Sequence, residues 1–156
     1  MNRKTSLLTV FLCIISLTGF AMMKTLLFPD LVKQADFILI VKVTAKSQSL
    51  GGDKIPLMKT QFSVERNLKG VWPEKEPLAI SSRDTQGKAI EDAMSFPAEG
   101  SRLVLFLQKT QDNSLVPLNR NQGVWPLQEG SNKTLGMGFR YSIEQIEKEV
   151  AFPQRK

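Results

Sequence analysis

The sequence predicts a mainly β domain with a short helix before the first strand and another helix near the carboxyl end. Apolar and polar residues alternate in several segments, most clearly from Phe37 to Lys46 and from Met58 to Val64, as in strands with one buried face. Segments rich in glycine, proline, asparagine and aspartate separate them at short intervals. Short strands with this spacing favour a small closed or partly closed barrel.

The first 21 residues are expected to lie outside that domain. Arg3 and Lys4 precede an apolar run from Leu7 to Leu17, and Gly19-Phe20-Ala21 supplies small residues, as in a secretory signal. We predict cleavage directly after this tripeptide, which makes 1–21 a signal peptide and 22–156 a single domain. The protein is then exported, to the periplasm or the extracellular space. An uncleaved membrane anchor is the alternative, because the apolar run can be extended towards Phe28.

Cysteine and histidine usage excludes several kinds of chemistry. Cys13, the only cysteine among the 156 residues, would leave with the signal, and the chain has no histidine. Ser-His-Asp and Cys-His nucleophile systems and His/Cys zinc sites are therefore excluded from the mature chain. Loss of Arg3 and Lys4 lowers the formal net charge from +6 to +4, too small an excess to indicate nucleic-acid binding. Carboxylate chemistry, a Ser-Lys pair and an oxygen-ligated cation remain open.

The first element of the mature domain is a predicted short helix. Pro29 and Asp30 suit its first turn, and it is expected to end near Ala35 or Asp36. A strand follows from Phe37, where odd-numbered residues to Ala45 share one apolar face. The opposite face begins apolar and then becomes polar, which indicates that only one end of that face is covered.

The next segments predict two more strands and a long connection. Phe62 and Val64 of the second strand are expected to face the core, and Arg66 on the same face predicts a bulge or a strand end near Arg66-Asn67. "LAISSRD" is typical of a short third strand. Residues 85–100 are expected to form a connection, with a helical turn around Ile90 to Met94.

The carboxyl-terminal third predicts the remaining elements. Leu103 to Leu107 is apolar on both faces, as in a strand that is covered on both sides. Asp112-Asn113 favours a turn into a further strand, which Pro117 places at a sheet edge. Short strands are predicted at Val124 to Leu127 and in "LGMGF". Ser142 is expected to cap a final helix, with Gln145 at the capping-box position.

Three segments together resemble a known type of exported domain. "LVKQADFILIVKV", "FSVERNLKG" and "GSRLVLFLQK" follow one another as in exported bacterial domains that are similar to the OB-like barrel of the netrin and tissue-inhibitor-of-metalloproteinase type. The resemblance covers roughly Leu31 to Lys109 and implies a small OB-like β-barrel. The positions that carry it are strand residues and turn glycines: Ala35, Asp36, Val43, Leu68, Lys69, Gly70, Gly100, Leu105 and Phe106. Inhibitors of this type chelate the protease zinc through an amino-terminal cysteine, whereas the mature chain begins at Met22, so the resemblance implies the fold alone.

Candidate reactive groups are few, and each has a simpler structural interpretation. Five acids could supply a pair of carboxylates for glycosidic cleavage, although exposed loops explain them better: Glu74, Glu76, Glu91, Asp92 and Glu99. Asp84 with Asp92 could bind calcium, but no twelve-residue ligand pattern is present. Ser81-Ser82 with Lys88 matches no Ser-x-x-Lys motif.

Other residues could serve binding rather than catalysis. Trp72 and Trp125 suit either exposed loops or the core, and packing is favoured. Asn132-Lys133-Thr134 is a glycosylation sequon if the host glycosylates. Five cations could form a basic stripe or simply lie on solvated strand faces: Lys42, Lys46, Lys59, Arg66 and Arg102.

The sequence therefore predicts an exported, non-enzymatic β-barrel that binds a protein or a cell-envelope component through its loops. It assigns no catalytic, cofactor-binding or metal-binding residue, and no nucleic-acid partner. An inhibitor of an exported protease that acts by loop insertion is one alternative. A small carboxylate-dependent hydrolase is the other.

Overall fold

The computed structural model describes residues 25–51, 56–73, 77–84, 94–136 and 140–152. The proposed signal peptide, four of the five candidate acids (Glu74, Glu76, Glu91 and Asp92) and Lys88 lie outside these ranges. So do most of the expected helical turn near Ile90 and the greater part of "LGMGF".

Helix α1 spans Phe28–Gln34 and leads directly into the sheet. Pro29 lies in its first turn, where the absent N–H costs nothing, and Asp30 lies near the positive end of the helix dipole. Leu31 and Val32 are buried, and the backbone becomes extended at Ala35. The predicted amino-terminal helix is confirmed.

Six antiparallel strands form one sheet. They are β1 (Phe37–Leu50), β2 (Pro56–Lys69), β3 (Leu78–Arg83), β4 (Arg102–Lys109), β5 (Leu115–Pro117) and β6 (Val124–Pro126). The order across the sheet is β3-β2-β1-β4-β5, and β6 also pairs with β4, after a 3₁₀ turn at Arg120–Gly123. Among the described residues no strand pairs with the outer side of β3, so the sheet is open there rather than closed into a ring. The mainly β class is confirmed, while closure of a barrel is not observed.

The central strands are buried on both faces, so the molecule has two cores. The inner core lies on the face that carries Leu39, Val41 and Phe62, together with side chains of β3, β4 and the 94–98 connection. The helix-side core lies on the opposite face, where α1 and helix α2 (Ile143–Ala151) cover Ile38, Ile40 and Phe106. The predicted double burial of Leu103 to Leu107 is confirmed, since all five residues are fully buried.

Irregularities in the β1–β2 pairing redirect the end of β2. Val41 pairs with Val64, but Ile40 pairs with Arg66, so one residue of β2 is extra at this point. Phe62 and Val64 therefore pack against the inner core, whereas Arg66 and Lys69 turn towards the helix side, as their pairing with Ile40 and Ile38 requires. The predicted bulge near Arg66 is confirmed, as is the core orientation of Phe62 and Val64.

Helix α2 begins with the capping box that the sequence predicts. The Ser142 Oγ accepts a hydrogen bond from Gln145 N, and Gln145 Oε1 accepts one from Ser142 N. Ile143 and Ile146 are buried, and Val150 packs beside them against the helix-side core. Neither α1 nor α2, the two α-helices of the described ranges, is long and apolar enough to cross a membrane.

Candidate binding surface

Four of the residues that carry the OB-like resemblance meet at the junction between α1, β1 and β2: Ala35, Asp36, Lys69 and Gly70. Lys69 Nζ donates to the carbonyl oxygens of Val32, Lys33 and Ala35 at distances of 2.8, 3.0 and 2.6 Å. These are the carbonyls at the carboxyl end of α1, which have no partner within the helix. Burial lowers the pKa of Lys69, and the negative charge of Asp36 opposes that shift. This lysine is therefore a structural cap.

Asp36 and Gly70 complete the same junction. The Asp36 carboxylate accepts a hydrogen bond from Lys109 N at 2.7 Å, and Asp36 N donates to Leu107 O at 2.8 Å. Gly70 has a φ of 72°, and a Cβ there would lie 2.7 Å from the Phe37 ring. These residues connect the helix to the sheet, so they account for the fold and not for an activity.

The candidate acids within the described ranges are engaged separately. Glu99 Oε1 accepts a hydrogen bond from Lys46 N at 2.8 Å, and the Asp84 carboxylate accepts one from the Gln48 side-chain amide. Among the described residues, no three Asp, Glu, His or Cys side chains come close enough to hold a metal ion. Each of the two carboxylates is thus held by a different residue of β1.

Ser81 and Ser82 lie on opposite faces of β3. Ser82 is buried and its Oγ donates to Met58 O at 3.5 Å, whereas Ser81 is exposed on the outer face. Alternation along the strand therefore separates the two hydroxyls. They do not form one nucleophilic site.

Both tryptophans belong to the two cores. Trp72 is 9% exposed and packs edge-on against Phe37 in the inner core, with ring centroids 5.8 Å apart. Trp125 is 1% exposed, and its indole Nε1 donates to Gln122 O at 2.7 Å. Its ring stacks on Tyr141 at 5.3 Å. The packing interpretation is confirmed for both.

In the sequon Asn132-Lys133-Thr134, the first residue is exposed and the last is buried. Asn132 is exposed, and its amide nitrogen donates to Glu144 at 3.4 Å. Thr134 is fully buried, and its hydroxyl donates to Tyr141 O at 3.0 Å. Thr134 thus has a packing role of its own.

The five cations of the proposed basic stripe do not form one stripe. Arg66 pairs with Glu147 on α2, and Lys46 Nζ donates to Phe96 O at 2.6 Å beside the inner core. Lys42, Lys59 and Arg102 lie on the outer face of the sheet. This name denotes the part of the helix-side face that neither helix covers. Arg102 pairs there with Glu65 at 2.8 Å. Sequence spacing grouped these residues, but the bulges and strand order separate them.

The outer side of β3 presents unpaired backbone groups. Asp84 N donates to Pro56 O at 2.8 Å. Together with the register of β2 and β3, this bond shows which residues of β3 form backbone hydrogen bonds with β2. Every second residue of β3 from Leu78 to Ser82 therefore directs its N–H and C=O towards β2. Ala79, Ser81 and Arg83 direct theirs away, to a side where no described strand lies. We call these groups the open edge.

Two cationic side chains, those of Lys59 and Arg83, lie beside the open edge on the outer face of the sheet. Lys59 pairs across β2–β3 with Ser81, and Arg83 is the last residue of β3. Lys59 and Arg83, and Lys42 two strands away on the same face, are exposed and have no ion pair with another described residue. Lys59 and Arg83 make the edge cationic, and the side chains of Ala79 and Ser81 are small and exposed among the described residues.

A polar cleft of about 410 Å³ lies beside the start of β4. It separates the turn before β4 from the turn after β6, and its lining includes Glu99, Arg102, Gln128 and Glu129. The Arg102 guanidinium is already held by Glu65, and acids and amides of both turns are exposed. The cleft is a second accessible surface without a grouped set of reactive side chains.

Comparison of the chain with protein-family models, with curated proteins and with solved structures found no match. The contacts of this chain therefore carry the functional argument by themselves. The open edge was missed at the sequence level, where "LAISSRD" predicted a strand but not its neighbours. The pattern of that segment does not show which side of the strand stays unpaired.

Proposed function

We propose that the chain is an exported, non-enzymatic binding module built on a partly open OB-like barrel, and that its partner is a protein or a cell-envelope component. The observation that carries this proposal is the distribution of exposed groups. Both faces of β4 and of the first part of β1 are filled by the chain's own side chains, while β3 keeps an edge that no described strand pairs, with cations beside it. Such an edge is suited to contact with another chain.

The strand order supports the OB-like part of the proposal. The order β3-β2-β1-β4-β5 is that of a five-stranded OB-type barrel opened between its third and fifth strands. Strand β1 is long, with 14 residues, and pairs with β2 and β4 on its two sides. The pairing irregularities along β1 and β2 increase the local bend, as barrel curvature requires.

The accessible chemistry supports binding over catalysis. The Glu99 carboxylate accepts a hydrogen bond from Lys46 N, the Asp84 carboxylate accepts one from the Gln48 side chain, and Lys69 caps a helix. Catalytic groups are usually held together in a pocket with perturbed pKa values. The contacts of the described cations and acids are those of a scaffold instead.

Export is the first part of the proposal that can be tested. The basic start, the apolar run and Gly19-Phe20-Ala21 support it. Amino-terminal sequencing of the protein recovered from outside the cytoplasm is expected to begin at Met22. Recovery of a chain that keeps Met1 would favour the uncleaved anchor.

Capture from envelope extract tests the binding function. The exported chain is immobilised, and retained proteins are identified by mass spectrometry, with an excess of the free chain as competitor. A partner that is displaced by the competitor and then binds saturably as a purified protein supports the module. A partner that proves to be a protease inhibited by the chain favours the inhibitor alternative, and no saturable partner contradicts the proposal.

A further inference from the structure

We infer that the open edge of β3 binds an extended, acidic segment of a partner protein as an additional antiparallel or parallel strand. This inference rests on the proposed binding function and names the surface and the partner chemistry. Ala79, Ser81 and Arg83 offer alternate N–H and C=O groups outward, and all three residues are exposed. An added strand satisfies these groups in the way that β2 satisfies those of Leu78 and Ile80.

The other exposed edge of the same sheet region is capped by the chain itself. Strand β1 extends beyond β4, and there Lys46 N donates to the Glu99 carboxylate at 2.8 Å while Val43 N donates to Ser101 O at 2.9 Å. No comparable side chain or loop of the described ranges caps β3. Natural proteins usually protect sheet edges, and this part of β1 is protected, whereas the outer side of β3 is not paired by any described residue.

Charge determines the kind of segment that fits. On the outer face, Arg83 is at the edge and Lys59 lies directly behind Ser81, about one strand spacing from it. Because Ser81 is small, a carboxylate on the incoming strand can reach Lys59 across it. Neither cation has an ion-pair partner among the described residues. Acidic residues at alternate positions of the partner would supply those partners.

The inner face of the sheet determines which residue types are expected at the remaining positions of the incoming strand. Leu78 and Ile80 are each 2% exposed and lie in the inner core immediately beside the edge. Alternate residues of an incoming strand point to this face, where apolar side chains would extend the core. The expected segment therefore alternates acidic and apolar residues. A second copy of this chain fits less well, because its β3 would bring like cations together.

Peptide binding tests the inference with the exported chain. The probe is an end-capped peptide of about eight residues that alternates Glu and Val, long enough to pair along the edge. We expect saturable binding by isothermal titration calorimetry and slowed hydrogen exchange at the amides of Ala79, Ser81 and Arg83. A peptide in which Lys replaces Glu is expected not to bind.

Two variants separate the backbone and the charge contributions. Ser81→Pro removes an N–H that faces outward, so the monomer keeps its pairing with β2, while peptide affinity is expected to fall by about tenfold or more. Lys59→Glu with Arg83→Glu should reduce affinity by roughly fivefold or more and permit the Lys/Val peptide to bind. Lys42→Glu is the control, because it changes the charge on the same face two strands from the edge.

A peptide N-methylated at alternate residues tests the same hydrogen bonds without altering the protein.

The outcomes also distinguish this inference from the proposed function. Equal binding of the Glu/Val and Lys/Val peptides, or protection at other amides, would overturn the inference. So would a dimer in sedimentation experiments that Ser81→Pro dissociates, because the edge would then be occupied by a second copy. Capture of the same envelope partner by wild type and Ser81→Pro would leave the module intact but move its site away from β3.

Discussion

At the residue scale, two glycines with similar backbone angles have different surroundings. Gly70 and Gly100 have φ values of 72° and 84°, which favour glycine at both positions. A Cβ on Gly70 would lie 2.7 Å from the Phe37 ring and 2.8 Å from Asp36 O, whereas a Cβ on Gly100 would meet nothing within 4 Å. A comparison of the two glycines therefore separates the energetic cost of backbone strain from the cost of steric contact.

We predict that Gly70→Ala destabilises the protein more than Gly100→Ala does. Backbone strain should cost about 1–2 kcal/mol at each position. The contacts at Gly70 should add about 1–3 kcal/mol, because the junction of α1 and β1 must shift. Urea unfolding measures both values, and equal losses would show that Phe37 moves away without cost.

Lys69 shows what sequence could and could not predict at this scale. The Leu68-Lys69-Gly70 turn was expected from its resemblance to a strand exit, and the positive φ of Gly70 agrees. The three hydrogen bonds from Lys69 to the end of α1 were not expected. They join residues 34 to 37 positions apart in the chain, and local periodicity does not predict contacts between such distant residues.

At the element scale, the first turn of α2 contains Glu144, a carboxylate whose pKa is affected by the capping box. The pKa of Glu144 is lowered, chiefly by a hydrogen bond from the Ser142 side chain and further by its own backbone N–H. A lowered carboxylate pKa in the folded state gives stability that is present above the unfolded pKa and is lost as pH falls through the folded value.

We predict that Glu144→Gln lowers the unfolding free energy near neutral pH, and that the difference from wild type disappears in acid. The measurement is urea unfolding at several pH values. Glu129→Gln, in the exposed turn after β6, is the matched control and should show no such pH-dependent difference. A constant gap between Glu144→Gln and wild type across the acid range would contradict the assigned cause.

Phe62 belongs to the element that the sequence predicted most directly. It is 5% exposed and packs edge-on against Phe96, with ring centroids 5.1 Å apart. Phe62→Ala should therefore cost about 3–5 kcal/mol in urea unfolding. Phe152→Ala is the matched control, because Phe152 is 76% exposed and its loss should change stability by less than about 0.5 kcal/mol. An unchanged midpoint for Phe62→Ala would remove this residue from the core.

At the scale of the whole molecule, sequence patterns predicted the strands better than their arrangement. The alternation around Phe62 and the double burial from Leu103 to Leu107 follow from local composition, and Pro117 marked an edge strand that the structure has. Strand order depends on contacts between distant residues, such as Phe37 with Leu107. The open edge of β3 is a property of that order, so no local pattern could identify it.

The absence of catalysis is the last expectation, and it concerns the whole chain. We predict no hydrolytic turnover on esters, glycosides, peptides or phosphoesters, with or without added divalent metal. Glu99 and Asp84 accept hydrogen bonds from Lys46 and Gln48, and histidine is absent from the sequence. The critical comparison is a variant that carries Glu91→Ala and Asp92→Ala, because these adjacent acids are, with Glu74 and Glu76, the remaining candidates for a carboxylate pair. Turnover in the wild type that disappears in this variant would replace the binding module with the carboxylate hydrolase. Binding of the Glu/Val peptide by both proteins, without turnover in either, would support a scaffold whose function lies at the edge of its sheet.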